Sequence, residues 1–169
     1  VPVGYRNFLP RQADVASACG NLVRVARKLA ELEERTGRLV RLALEPEPDC
    51  VAGNTHQFIA FYEGALLPAA GNMQDGEGLV RRYVGICFDT AHAAVAFEDL
   101  EASLSALERA AIPIAKIQAS SALAAGGSVA ARAALQPFCE PVYLHQTTVR
   151  TPDGLLCHYP DLPQALAQR

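Results

Sequence analysis

The 169-residue chain contains no tryptophan and one methionine, and aromatic residues make up 7% of it, so aliphatic side chains must build most of any core. Its five cysteines, Cys19, Cys50, Cys87, Cys139 and Cys157, include no Cys-x-x-Cys pair and are too sparse to staple a chain this long. That usage fits a reducing, cytoplasmic compartment. The longest apolar runs, such as Ala110 to Ala115, fall far short of a bilayer span, so no membrane insertion is expected. Lys and Arg number 15 against 18 Asp and Glu, for a net charge of −3, and no basic run gathers them. Long-range attraction to nucleic acid or acidic lipid is therefore disfavoured. Nucleophilic hydrolysis fares no better, because Ser120-Ser121 has no Gly-x-Ser-x-Gly elbow around it.

Half of the residues are hydrophobic and 20% are charged, a composition that predicts a single globular domain. The chain opens on Val1-Pro2-Val3 without an initiator Met and reads as a piece of a longer protein.

Apolar residues at Val15, Ala18, Leu22, Val25, Leu29 and Leu32, followed by Gly37, predict an amphipathic helix over roughly 12 to 36. A strand from Leu39 to Leu44 follows, stopped by Glu45-Pro46-Glu47-Pro48. Asn54 or Thr55 caps a second helix, and a short third one runs from about Gly76 to Arg82. The next strand, Tyr83 to Phe88, ends in Asp89-Thr90-Ala91-His92, and a helix carries Leu100, Leu104 and Leu107. Ile112 to Ile117 is a third strand ending at Gln118. Gly126-Gly127-Ser128 opens another helix, and Val142-Tyr143-Leu144 is a fourth strand ending at His145.

Strands alternating with helices predict parallel crossovers and an α/β fold. Every strand ends in a residue that binds metal or handles protons: Glu45, Asp89 with His92, Gln118 and His145. One site assembled from many strand ends is the pattern of a (β/α)8 barrel. Side-chain alternation agrees, since Ala43 and Glu45, then Gly85, Cys87 and Asp89, then Ile114, Lys116 and Gln118, then Tyr143 and His145 share one side. The opposite side is purely apolar and suits outer helices. Arg41 and Lys116 become interior cations on this reading. A whole barrel needs about 250 residues, so only part of one is covered.

The stretches Leu44 to Pro48, Gly85 to His92, Lys116 to Leu123 and Tyr143 to Gln146 resemble the metabolite traffic protein EboE family. That family is a branch of the xylose isomerase-like TIM-barrel superfamily, which includes sugar isomerases, sugar-phosphate epimerases and a zinc-dependent endonuclease. The resemblance covers essentially the whole chain, and Asp89-x-x-His92 is its most specific wider motif. It implies a divalent metal ion, manganese, zinc or magnesium, held by Glu45, Asp89 and His92. Gln118 stands where the superfamily commonly has His, and its amide oxygen would be the substitute ligand. His145 on the next strand end completes the implied set.

These readings predict a metal-dependent isomerase or epimerase of a small sugar or polyol-like metabolite, with Glu45 as ligand or base and Lys116 stabilising developing negative charge. The alternative is a non-catalytic, metabolite-binding component of secondary-metabolite export. Open strand edges in a partial barrel also predict self-association into a homo-oligomer.

Overall fold

In the computed structural model, which describes residues 2–5, 12–71 and 74–168, the first amphipathic stretch is helix α1, Gln12–Thr36. Gly37 ends it at φ +67°, returning its N–H to the Glu33 carbonyl at 2.7 Å. The buried stripe is Cys19, Val23 and Ala26, flanked by Val15, Leu22, Leu29 and Ala30. It is rotated from the expected stripe, because Val25 lies exposed.

Strands β1 (Leu42–Leu44), β2 (Val84–Asp89) and β3 (Ile114–Gln118) form a parallel sheet in the order β1-β2-β3. β1 is shorter than the run from Leu39 predicts. Its partner explains why: Leu42 pairs with Val84, and the residue before Val84 closes helix α4, Gly76–Tyr83. Leu39 and Val40 thus find no ladder to join and stay exposed.

Between β1 and α4, helix α2 (Thr55–Phe61) starts on the Asn54 side chain, which accepts from the Gln57 N–H at 2.8 Å. It continues through a π-helical turn, Tyr62–Leu66, into α3, Leu67–Ala70. Pro68 supplies the cause. It has no N–H for the Gly64 carbonyl, and its ring needs room there, so the turn widens and Leu67 bonds back to the Tyr62 carbonyl instead. Tyr62 and Leu66 on the widened turn are buried, and the Tyr62 hydroxyl donates to the Val84 carbonyl at 3.0 Å. Burial pushes that phenol up to about 12.

Leu44, Val84, Ile86 and Phe88 pack with Phe58, Tyr62, Leu66 and Val80 in one core, so the apolar side of β1 and β2 meets helices as expected. β3 departs from that rule, with Ile117 61% exposed. Arg41 and Lys116 are exposed rather than interior, the Arg41 Nε donating to the Arg82 carbonyl at 2.9 Å.

Helices α5 (Thr90–Val95) and α6 (Leu100–Arg109) link β2 to β3. Each ends with the paired backbone bonds of a Schellman turn: Phe97 to Ala94 with Glu98 to Ala93, and Ala111 to Glu108 with Ile112 to Leu107. Glu98 lies between them and accepts from the Thr55 N–H at 3.0 Å and the Ser103 hydroxyl at 2.7 Å, tying the starts of α2 and α6 together.

After β3 come α7 (Val129–Leu135), a single 3₁₀ turn at Gln136–Phe138, an antiparallel hairpin and the closing helix α8, Leu162–Leu166. The fourth strand expected at Val142-Tyr143-Leu144 is not formed. Those side chains are exposed, and the Val142 and Tyr143 N–H groups bond the Glu140 carboxylate instead of a neighbouring strand. The hairpin pairs β4 (Thr147–Arg150) with β5 (Leu156–Tyr159). Three parallel strands and a separate hairpin make a mixed α/β fold without a closed barrel among the described residues.

The register of β2 with β3 positions the site. Ile86 pairs with Ile114, but Cys87 pairs with Lys116 and Asp89 with Gln118, so Ala115 is an extra residue absorbed in a bulge. Lys116 and Gln118 therefore lie alongside Cys87 and Asp89, as predicted, while Ile114 falls beside Ile86 and not on their side.

Candidate metal centre

Glu45 leaves the end of β1, Asp89 is the last residue of β2, and His92 lies on the first turn of α5. Each offers one ligand atom within 4.8 Å of the others, and all three are half-buried. Strand-end reasoning named these three together with Gln118 and His145. Two carboxylate oxygens and an imidazole nitrogen are a donor set suited to a borderline or hard divalent cation.

Asp89 serves its own helix first. Its Oδ1 caps α5, accepting from the Ala91 N–H at 2.8 Å, and also accepts from the Ser120 hydroxyl at 2.8 Å. Burial pushes its carboxyl up, but the bonds from Ser120, Ala91 and Gln118 and the nearby His92 outweigh it, holding the carboxyl below its ordinary value. The site thus keeps an ionised carboxylate. His92 sits with Nδ1 3.1 Å from the Pro46 carbonyl and 3.5 Å from Glu45 Oε1. A carbonyl only accepts, so Nδ1 is the ring nitrogen that donates toward Pro46.

Gln118 also reaches the centre, from β3. Its Nε2 donates to Glu45 Oε1 at 2.7 Å and to Asp89 Oδ2 at 2.5 Å. The amide nitrogen, not the oxygen, faces the carboxylates. Lys116, expected to stabilise developing negative charge, donates to Gln118 Oε1 at 2.6 Å. His145 is not brought into the group. With no strand ending at it, it lies in the loop before β4, its N–H donating to Asp161 Oδ1 at 2.9 Å and its ring Nδ1 3.9 Å from that oxygen.

Ser120 is the partner that sequence reasoning passed over, having weighed it only as a nucleophile. The available signal was its position two residues past a strand end, where a hydroxyl reaches back to the neighbouring strand's terminal residue. Thr90 fixes that geometry by accepting the Ser120 N–H at 2.9 Å. Cys87, below the site, is a poor nucleophile: burial, and then Glu45, raise its thiol above the ordinary value.

Beside Asp89 and His92 is a cavity of about 10 Å³ bordered by Pro46, Thr55, Cys87 and Glu98, room for a single water-sized species. A larger, open cavity of about 270 Å³ lies next to it between the α2 start, the α5 end and the hairpin, and shares Gly53 and Asn54 with the small one. Its lining includes Asp49, Gln57, Thr148, His158 and Tyr159.

No family model matches the chain, and neither the curated proteins nor the solved structures contain a match to it.

Proposed function

We propose that Glu45, Asp89 and His92 hold a divalent cation at the carboxyl end of the strands of an incomplete xylose isomerase-like (β/α)8 barrel. The protein is then an EboE-like isomerase or epimerase of a small sugar or polyol. The observation that carries this is the convergence of two carboxylates and an imidazole, from two strand ends, within 4.8 Å at one edge of a parallel sheet. A bound cation supplies Lewis acidity toward a carbonyl or hydroxyl of the metabolite. Asp89, capped and ionised, anchors; His92 offers a ring nitrogen; Glu45 takes and returns a proton. The polar side chains of the larger cavity orient the metabolite.

The same cavity supports a second reading, a non-catalytic metabolite-binding component of secondary-metabolite export, because about 270 Å³ of polar-lined space binds a small ligand without any turnover. Elemental analysis decides the metal and turnover decides between the readings. Stoichiometric manganese or zinc is expected in the wild type and lost in Asp89→Ala and His92→Ala. Glu45→Gln is expected to retain metabolite binding while isomer exchange falls by about a hundredfold or more, as for loss of a general base. Folded wild type that takes up no metal when supplied with manganese and zinc overturns the first reading. Metabolite binding without exchange in the wild type establishes the second.

A further inference from the structure

A primary amide offers two N–H donors on its nitrogen and an acceptor on its oxygen. In Gln118 the nitrogen bonds two carboxylates, Glu45 at 2.7 Å and Asp89 at 2.5 Å, while the oxygen accepts from the Lys116 ammonium at 2.6 Å. The reverse orientation sets the amide oxygen against two carboxylates and the amide hydrogens against a group that has no acceptor. Charge on both sides therefore fixes which way the amide points. The bulge at Ala115 is what brings both residues to the Asp89 side of the sheet.

We propose that the Gln118 amide nitrogen occupies the place of a cation between Glu45 and Asp89, and that Lys116 is the positioning residue that keeps it there. This rests on the cation reading above. A cation then enters only by displacing the amide, and Lys116 opposes its entry through Gln118 rather than by charge repulsion alone. Without Lys116 the amide is free to turn its oxygen toward the cation and become a ligand.

The test is a double-mutant cycle read as the affinity for Mn²⁺ alone, by titration calorimetry, on wild type, Lys116→Met, Gln118→Leu and the double variant. Each single variant is expected to bind Mn²⁺ about tenfold more tightly, the order of one charge-assisted hydrogen bond removed from competition. Lys116→Met is expected to add nothing in the Gln118→Leu background. Lys116→Arg, which keeps the charge and the donors, is expected to behave as wild type. A metal-free readout accompanies it: the Gln118 side-chain amide protons exchange slowly in the wild type by ¹⁵N NMR and lose that protection in Lys116→Met.

Equal tightening by Lys116→Met in both backgrounds means plain charge repulsion and overturns the proposal. So does weaker binding in Gln118→Leu, which makes the amide a ligand; in both cases the metal site itself survives, shown by loss of binding in Asp89→Asn. No Mn²⁺ uptake by any form removes the metal reading and this inference together.

Discussion

Ala111 and Phe97 stand two residues past a helix end with φ of +51° and +56°, a conformation glycine adopts without a Cβ penalty. At Ala111 nothing offsets the strain except the backbone bonds glycine would also make. Ala111→Gly is therefore expected to raise stability by about 0.5–1 kcal/mol, measured from urea midpoints. Phe97→Gly is expected to gain nothing, because the Phe97 ring lies under the Arg150 guanidinium at 4.1 Å and ties the hairpin to α5. Gly85 is the opposite case. A Cβ there would fall 2.2 Å from the Pro113 carbonyl oxygen, and that carbonyl accepts from the Ile86 N–H at 2.9 Å. Gly85→Ala should separate β2 from β3 and lower stability by about 2–3 kcal/mol in the same assay. At this scale the sequence showed Glu45, Asp89 and His92 through their place at strand ends. It did not show which way the Gln118 amide faces, because that depends on the charges arrayed on both sides of it in space.

Among the elements, α1 was legible from end to end because a long periodic run and a glycine stop are local signals. Which of its faces is buried was not, since neighbouring helices choose between stripes one residue apart. The π turn was equally hidden: Pro68 marks trouble in the helix, but only the buried Tyr62 and Leu66 show that the chain widens rather than breaks. The hairpin had a readable signal in Pro152-Asp153-Gly154, a turn sequence whose Gly154 takes φ +88°. The three-residue apolar run at Val142 has the pattern of a strand but no partner strand among the described residues. Between elements, Glu98 is the tie most open to test. Glu98→Ala leaves the Thr55 N–H and the Ser103 hydroxyl, both in buried residues, without their acceptor. A loss of about 1–3 kcal/mol is expected, with amide exchange accelerating first at the starts of α2 and α6.

Across the whole molecule, the α/β class was legible because strand and helix signals alternate, whereas barrel closure depends on pairings between distant strands that no local pattern reports. One long-range link ties α1 to the end of α4. Glu33 accepts from Arg82 Nε at 2.9 Å and from the Tyr83 hydroxyl at 2.6 Å. Those bonds, Arg82 first and Tyr83 second, hold the Glu33 carboxyl below its ordinary value. A carboxyl depressed on folding stabilises the protein above its unfolded pKa, about 4.3, and the contribution is lost as the pH falls below that. The melting temperature of wild type is expected to exceed that of Glu33→Gln at about pH 6 and to converge on it as the pH falls through the lowered Glu33 pKa.

The bulge in β3 gives the strand a spare position, so a change in chain length has an outcome that no substitution reproduces. Loss of the Ala115 codon removes three nucleotides and leaves a regular ladder, with Ile114 still beside Ile86 and Lys116 and Gln118 still beside Cys87 and Asp89. Loss of the Ile117 codon, one turn of the pleat nearer the site, inverts Gln118 and strips the carboxylates of its amide. Tolerance to deletion should therefore switch from one codon to the next but one, along a stretch where the residues themselves look equally replaceable.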